Sequence, residues 1–223
     1  MNPRIAVDGL FAGQVAQLAG DSRSSAIVKT PVSGRCLLTA EGLTGDAQAD
    51  RRVHGGGGKA LHHYPAEHYA LLAAAFPAAQ HLMPGGLGEN ISTRGLTEHD
   101  VCIGDVFRFG GARIQVSQPR TPCWKIDHRA ACEGVAAFIA EHGLAGWYYR
   151  VLEAGEVAAG DWLEHLERPA DAVSLDEFWR VTHTPRPSIE ALSRLANASG
   201  LDAQWVGKLR QRAEWLRNNG SEK

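Results

Sequence analysis

The uneven distribution of glycine is the sequence feature that most constrains the fold. Of the 25 glycines, all but Gly200, Gly207 and Gly220 precede residue 171. Glycine supplies the φ > 0 backbone of tight turns and weakens helix interiors. The front of the chain therefore predicts short strands joined by turns, and the back predicts helices. We expect an α+β protein with a β-barrel-like domain and short helices at residues 1–167, followed by a small three-helix C-terminal domain at 168–223.

Two hairpins are predicted in the front part. Gly110 and Gly111 form a two-residue turn between strands over 105–109 and 112–116, with alternate residues from Ala112 facing one way. A second hairpin is predicted from the runs 25–29 and 35–38, joined by the turn 31–34. Further strands are predicted at 90–93, 147–152 and 161–166.

Helical spacing of apolar residues predicts five helices. One begins at Pro65 and ends before Pro77, and another spans 130–142 with Gly143 as its stop. Behind the boundary at 168–171, Ser174 and Glu177 form a capping box that opens the first of three helices. The other two are predicted at 188–197 and 202–217.

The charge balance excludes some classes of function. The chain has 23 Lys+Arg and 25 Asp+Glu, for a net charge of −2, which argues against broad binding of nucleic acid. The helical tail could be a helix-turn-helix DNA reader, but its charges also nearly cancel, so a packing or partner-binding role is favoured. The longest apolar stretch, 70–79, is too short to span a membrane and is interrupted by Pro77.

Cysteine usage and the N-terminus predict a cytoplasmic protein with reduced thiols. Four cysteines fall at irregular spacings without a Cys-x-x-Cys motif, and no secretory signal is visible. Cys36, Cys102 and Cys132 lie in predicted strands or a helix and are interpreted as small core residues. A zinc site at His62, His63 and His68 is disfavoured, because adjacent histidines point to different faces.

A glycine run at 55–58 is the first candidate for a binding site. Four consecutive glycines cannot build a core, but they allow backbone N–H groups to approach a ligand closely. Arg51, Arg52, His54 and Lys59 flank the run, so backbone donors and cations together predict an anion site, most often for phosphate. No Ser or Thr follows Lys59, which disfavours a nucleoside triphosphatase. The alternative is a flexible surface loop.

A proline-bracketed loop after a strand is the second candidate. Cys123 follows Pro122 there, with Arg120 and Lys125 close in sequence. Neighbouring cations favour a thiolate, which is the form that attacks or binds a metal. Between the two candidates, Asn90 follows the glycine-rich segment 85–88 and offers a donor and an acceptor suited to the edge of a heterocycle.

These motifs together resemble the MOSC family, the molybdenum-cofactor-binding domain related to sulfurase C-termini, and within it the bacterial 6-hydroxylaminopurine reductase type. The resemblance covers nearly the whole chain. It is carried by GLTGD at 42–46, VHGG at 53–56, ALHHYP at 60–65, GENIST at 88–93, GLT at 95–97, IGD at 103–105, QPRTPC at 118–123 and GWYYRV at 146–151.

The resemblance implies a MOSC-type barrel that binds a molybdopterin-type molybdenum cofactor, with Cys123 as the molybdenum ligand. It implies cofactor contacts from a set of polar residues: Arg51, Arg52, His54, Lys59, Asn90, Arg120 and Thr121. Lys59 departs from the arginine usual in relatives and lacks its bidentate fork. Besides Cys123, the candidate catalytic residues are Asp46 and His54, as proton donors or as orienting groups, with structural capping of the loop as the alternative.

The activity implied is reduction of N-hydroxylated nucleobases and related N-hydroxylated small molecules. No flavin motif or cluster motif is visible, so we expect electrons from a separate reductase as a partner. Two alternatives stay open. One is a molybdenum-cofactor carrier or sulfur-handling protein without reductase activity, and the other is an adaptor built on the helical tail. The sequence gives no oligomeric state.

Overall fold

A computed structural model describes residues 4–49 and 56–219. These residues contain thirteen strands, and all of them lie before residue 168, as the glycine distribution predicts. In chain order they are β1 Arg4–Ala12, β2 Ala16–Gln17, β3 Ser24–Ser25, β4 Thr30–Pro31, β5 Cys36–Thr39, β6 Gly42–Leu43, β7 Leu61–Pro65, β8 Ile91–Thr93, β9 Val106–Phe109, β10 Ala112–Pro119, β11 Trp147–Glu153, β12 Gly155–Val157 and β13 Trp162–Glu167.

Within the described ranges, three α-helices interrupt the strands and three follow them. They are α1 Glu67–Ala75, α2 Lys125–Ala130, α3 Val135–His142, α4 Leu175–His183, α5 Ile189–Ala196 and α6 Ala203–Asn219. A 3-10 turn at Gly57–Lys59 precedes β7. Among the described helices, none is both long enough and apolar enough to cross a membrane.

Seven strands close into a barrel. The sheet order is β13-β9-β10-β11-β7-β8-β1, and pairing of β13 with β1 closes it. The pairs are antiparallel except β7 with β8, where His63 lies opposite Ile91. β4 pairs with the far end of β1. The predicted α+β class, with a barrel followed by three helices, is confirmed, while the division between residues 167 and 168 stays a prediction.

The hairpin at Gly110–Gly111 is confirmed, and its register sets one wall of the barrel. Ala112 pairs with Phe109 and Ile114 with Phe107. Ala112, Ile114 and Val116 are fully buried, whereas the intervening residues are partly exposed. Period-2 alternation therefore identified the inward face correctly.

The hairpin predicted from 25–29 and 35–38 is wrong. β3 pairs with β2, and β4 pairs with β1. β5 instead pairs with β6 and β12. Local alternation identifies strand-forming residues but not their partners, and each of these short strands finds its partner elsewhere in the fold.

The helix predicted over 130–142 is shorter in the structure: α3 begins at Val135, and Ala130 is instead the last residue of α2. Ala131 and Gly134 adopt left-handed φ values of 47° and 90°, which end α2 and separate it from α3. The Asp127 carboxylate accepts hydrogen bonds from the backbone N–H groups of Gly134 and Ala136, at 3.1 and 2.6 Å. It thereby satisfies donors at the start of α3 that have no partner within the helix. Cys132 consequently lies between the helices and not within one.

The C-terminal helices pack directly on the barrel. One continuous cluster of buried side chains includes Phe109 and Trp147 of the barrel together with Phe178 of α4 and Leu209 of α6. Gly104 and Gly200 approach so closely that a Cβ at Gly200 would lie 2.6 Å from the Gly104 Cα. The helices therefore share the core of the barrel, and α6 is held beside the strand that leads to Cys123.

Candidate active site

Loops that follow or precede five strands meet around one cleft. It holds about 580 Å³, including the part open to solvent. Its chemistry-bearing lining residues are Lys29, Asp46, Lys59, Asn90, Arg120 and Cys123. The two segments singled out in the sequence, the glycine run and the proline-bracketed cysteine loop, therefore contribute Lys59 and Cys123 to the same cleft.

Hydrogen bonds from β10 bring these two segments together. The Ser117 hydroxyl lies 2.5 Å from the carbonyl oxygen of Gly58, and the Gln118 Nε2 donates to the same oxygen at 3.1 Å. Lys59 follows directly, and β10 runs on to the loop that carries Cys123. A Cβ at Gly58 would come too close to the carboxylate of Asp202, so a larger residue there would require the Asp202 side chain to move.

Asp46 lies at the centre of a buried polar cluster. Its carboxylate accepts hydrogen bonds from the Gly13 backbone N–H at 2.8 Å, from Lys29 Nζ at 2.5 and 2.6 Å, and from Asn90 Nδ2 at 2.8 Å. The side chains of Lys29 and Asp46 are only 6% and 5% exposed. Burial lowers the pKa of Lys29, and the charge of Asp46 opposes that shift. This arrangement fits the orienting role for Asp46 better than that of a proton donor, because its oxygens are already engaged.

Asn90 faces the cleft with most of its hydrogen-bonding capacity used. Its Nδ2 donates to the Phe11 carbonyl at 3.2 Å as well as to Asp46, and its Oδ1 accepts from the His62 N–H at 3.0 Å. An amide oxygen has two lone pairs, so one acceptor position is left for a ligand. The sequence predicted that Asn90 offers a ligand both a donor and an acceptor, but in the structure only its acceptor oxygen is available.

Arg120 is fixed at the cleft by a carbonyl that a buried carboxylate holds in place. Its Nη2 donates to the Leu87 carbonyl at 3.1 Å. The Glu89 carboxylate in turn accepts from the N–H groups of Gly85 and Leu87, at 2.6 and 3.1 Å, and from the Tyr69 hydroxyl. The Nη1 atom of Arg120 is buried and has no hydrogen-bond partner within the described part of the chain.

His62 and Tyr148 complete the cleft beside Arg120. Burial, with the charge of Arg120, lowers the pKa of His62 far below its usual value, so its ring is neutral near pH 7. Its Nε2 is a second buried atom without a partner among residues 4–49 and 56–219. The ring centroids of His62 and Tyr148 are 5.1 Å apart. Burial raises the pKa of Tyr148, which therefore keeps its proton, while the nearby Arg120 opposes the shift.

The unpartnered nitrogens of Arg120 and His62 make the cleft suited to a polar cofactor such as a pterin. Buried polar atoms in native proteins usually have partners, so Arg120 Nη1 and His62 Nε2 are suited to hydrogen-bond a polar group bound in the cleft. Cys123 adds a soft sulfur donor at the same cleft, which suits molybdenum. In the described residues, no group of three or more His, Cys, Asp or Glu side chains is placed to hold a metal. The residues present thus fit a metal that arrives with its own organic ligands.

The remaining predicted site residues are placed differently. Thr121 is exposed and lines a second cavity on the other side of Cys123. Arg51, Arg52 and His54 lie outside the described residues. His63 points away from the cleft into the barrel, where its ring nitrogens lie 3.0 Å from the Tyr149 hydroxyl and 2.8 Å from Thr93 Oγ1.

Three cleft residues were missed by the sequence reasoning: Lys29, His62 and Tyr148. Lys29 ends a run interpreted as one strand of a hairpin, and its partner Asp46 is 17 residues away. His62 was considered only as a metal ligand. Tyr148 falls within the quoted GWYYRV motif, where an outward position in an alternating strand could have indicated it.

Comparison with known proteins establishes the family. A family model described as MOSC domain matches residues 50–164. The chain is 40% identical over 204 residues to protein YiiM of Escherichia coli (strain K12), which covers 91% of this chain and 90% of that protein. The chain belongs to the MOSC domain family.

Solved structures and one further relative agree with this placement. The crystal structure of YiiM from Geobacillus stearothermophilus matches with a TM-score of 0.80 and 28% identity, over 95% of this chain and all of that one. The structure of YiiM from Escherichia coli matches with a TM-score of 0.74 and 34% identity, over 96% and 95% of the two chains. A protein of Gibberella moniliformis named reductase is 34% identical over 185 residues, which is 82% of this chain and 33% of that protein.

Proposed function

We propose that this protein is a molybdenum-cofactor-dependent reductase of N-hydroxylated nucleobases, such as 6-hydroxylaminopurine, and of related N-hydroxylated compounds. It works in the cytoplasm and takes electrons from a separate reductase. The observation that carries the proposal is the shared cleft, which is lined by both Cys123 and Lys59. Arg120 and His62 line the same cleft, and each has a buried nitrogen, Nη1 and Nε2, without a hydrogen-bond partner in the described residues. Membership of the MOSC family and the relative named reductase support it.

The residues around the cleft divide the work of holding the cofactor. Cys123 provides the thiolate that ligates molybdenum. Lys59 and Arg120 supply positive charge for the phosphate and for oxygen atoms of the pterin, and Arg51, Arg52, His54 and Thr121 are proposed as further contacts. Asn90 accepts a hydrogen bond through its remaining lone pair. When bound, the cofactor supplies the two-electron chemistry that breaks an N–O bond.

Reduction of an N–OH group consumes two electrons and two protons and releases an amine and one molecule of water. One proton must therefore reach the leaving oxygen, which departs as water, and the other must reach the nitrogen, which becomes the amine. Asp46 holds Lys29 and Asn90 in position, so His54 is the better candidate among the two predicted proton donors. Tyr148 keeps its proton because burial raises its pKa, and it can donate a hydrogen bond to the substrate oxygen in the cleft.

The test is turnover by cofactor-loaded protein. Protein purified from a host that makes the molybdenum cofactor is incubated with 6-hydroxylaminopurine and a competent electron donor, and adenine is measured. We expect one adenine per electron pair with the wild type and none with Cys123→Ser. Loaded wild-type protein that fails to form adenine would contradict the proposal and favour a carrier or sulfur-handling role.

A further inference from the structure

A second cavity lies beside Cys123, between the loop that follows β10 and helix α6, and it holds about 890 Å³ including the part open to solvent. It shares Lys59, Cys123 and Tyr148 with the first cleft. A molecule in the second cavity and a group bound in the first would therefore meet at Cys123. Helix α6 contributes the other wall through Gln204, Trp205 and Lys208.

We propose that the second cavity is the substrate-binding site and that it takes a flat N-hydroxylated heterocycle bearing an anionic group, which is the chemistry of a nucleoside monophosphate. The inference rests on the proposed function for the reaction, but its binding part stands on the cavity alone. It also assigns the C-terminal helices a direct role, because α6 supplies side chains that contact the substrate.

Trp205 provides a flat apolar surface in a fixed position. The edge of its ring meets Phe178, with centroids 5.1 Å apart and an interplanar angle of 89°. The start of α6 is tied to the barrel by the backbone N–H of Asp202, which donates to the Ser117 carbonyl at 2.9 Å. The indole is half-buried, so part of it faces the cavity. Stacking on an aromatic side chain is the common way to bind a nucleobase.

Two ammonium groups face the same cavity, and they indicate an anionic ligand. Lys208 is exposed, and its Nζ lies over the Trp205 ring, 5.1 Å from the centroid, so a base that stacks there takes the place of this ammonium group. The pKa of Lys59 is lowered mainly by burial and also by the charge of Lys208, while Asp202 opposes both effects. A phosphate between the two lysines would relieve their repulsion and form charge-assisted hydrogen bonds with both.

The binding test uses adenosine 5′-monophosphate, the product of reducing the N-hydroxylated nucleotide, and adenine as the uncharged probe. Calorimetry on the cofactor-loaded protein should show the monophosphate binding about ten-fold tighter than adenine. Lys208→Gln should abolish that difference, and Trp205→Leu should weaken both ligands about ten-fold, as expected for loss of one stacking surface. Arg210→Gln and Trp215→Leu, at exposed positions of the same helix, are the matched controls.

Equal affinity of the wild type for the two ligands would overturn the inference, as would equal effects of the control variants. In the kinetic arm, Lys208→Gln should raise KM for the N-hydroxylated monophosphate by a larger factor than it raises KM for the free base. If neither compound is reduced, the proposed function fails, and the calorimetry still decides whether the cavity binds a nucleotide. Circular dichroism verifies that Trp205→Leu is folded.

Discussion

The hydroxyl of Ser117 lies 2.5 Å from the carbonyl oxygen of Gly58. This contact joins two segments that are 59 residues apart, the turn that carries Lys59 and the strand that leads to Cys123. The same hydroxyl lies 3.0 Å from the Tyr148 carbonyl, so it also reaches the neighbouring strand. The position of the lysine relative to the thiol therefore depends on the Ser117 hydroxyl together with Gln118, whose Nε2 donates to the same oxygen.

Ser117→Ala should loosen this junction. Loss of one hydrogen bond costs about 0.5–1.5 kcal/mol, because the Gly58 carbonyl keeps its bond from Gln118 Nε2. We expect the free energy of unfolding in urea to fall by about that amount and cofactor content to fall with it. Ser33→Ala, at an exposed position, is the control. A Ser117→Ala protein with unchanged stability and full cofactor content would show that the contact does not position the site.

The buried Lys29–Asp46 pair should behave as a coupled unit. Asp46→Asn leaves the Lys29 ammonium buried without its counter-charge, and breaking a buried pair in this way costs about 3–5 kcal/mol. Lys29→Met should be destabilising as well, because the carboxylate then loses its cation. A double-mutant cycle measured by urea denaturation should find Lys29→Met/Asp46→Asn much less destabilised than the sum of the single variants. Additive effects would exclude the coupling.

His63 should make the protein sensitive to acid. Burial, with a smaller contribution from His68, lowers the pKa of His63 from 6.5 to about 3 in the folded protein. Between these two values the unfolded chain binds more protons than the folded one, so stability falls as the pH is lowered from 6.5 toward 3. The largest loss from one such group is about 1.4 kcal/mol per pH unit.

His63→Gln removes that proton uptake and keeps an amide that can bond Tyr149 and Thr93. Urea denaturation between pH 4 and 7 should therefore give a shallower pH dependence for this variant than for the wild type. His62 still contributes in the same direction, because its pKa is also lowered by burial. His142→Gln, at an exposed position, controls for loss of an imidazole. Parallel slopes for His63→Gln and the wild type would contradict the assignment.

Glu89 holds the loop whose carbonyl fixes Arg120. Glu89→Gln replaces one acceptor oxygen by a donor NH2 opposite the backbone donors of Gly85 and Leu87. We expect a loss of about 1–3 kcal/mol in the free energy of unfolding, since at least one buried donor is left unpaired. The shift of the Leu87 carbonyl should also weaken cofactor retention. Glu133→Gln, at an exposed position, is the control. Unchanged cofactor content in Glu89→Gln would show that this loop does not contribute to cofactor binding.

Regular patterns in the sequence were sufficient to predict much of the fold. Alternation around Gly110–Gly111 gave the central hairpin, and the Ser174–Glu177 spacing gave the N-cap of α4, where the Ser174 hydroxyl accepts from the Glu177 N–H at 3.1 Å. Both features depend on neighbours within a few residues. Strand partners were not predictable in this way, and the pairing of β5 with β12 illustrates that, because it joins segments more than 100 residues apart.

The residues of the candidate site also divide into those that local sequence indicated and those that only the folded structure brings together. Residue chemistry and the family resemblance indicated Cys123, Lys59, Asn90 and Arg120, and the fold places all four at one cleft. Lys29 carried no local signal, since its importance comes from burial against Asp46. Trp205 lies in the helix predicted over 202–217, where no local pattern indicated a binding role, and only the packing of α6 against β10 brings it to the cavity.

The most direct test of the central claim is metal and pterin analysis of wild type beside Cys123→Ala. Both are produced in a host that makes the molybdenum cofactor, with Cys132→Ala, another half-buried cysteine, as the control. We predict near-stoichiometric molybdenum and pterin in the wild type and in Cys132→Ala, and loss of most of the molybdenum in Cys123→Ala. Equal molybdenum in all three proteins would show that Cys123 is not the metal ligand.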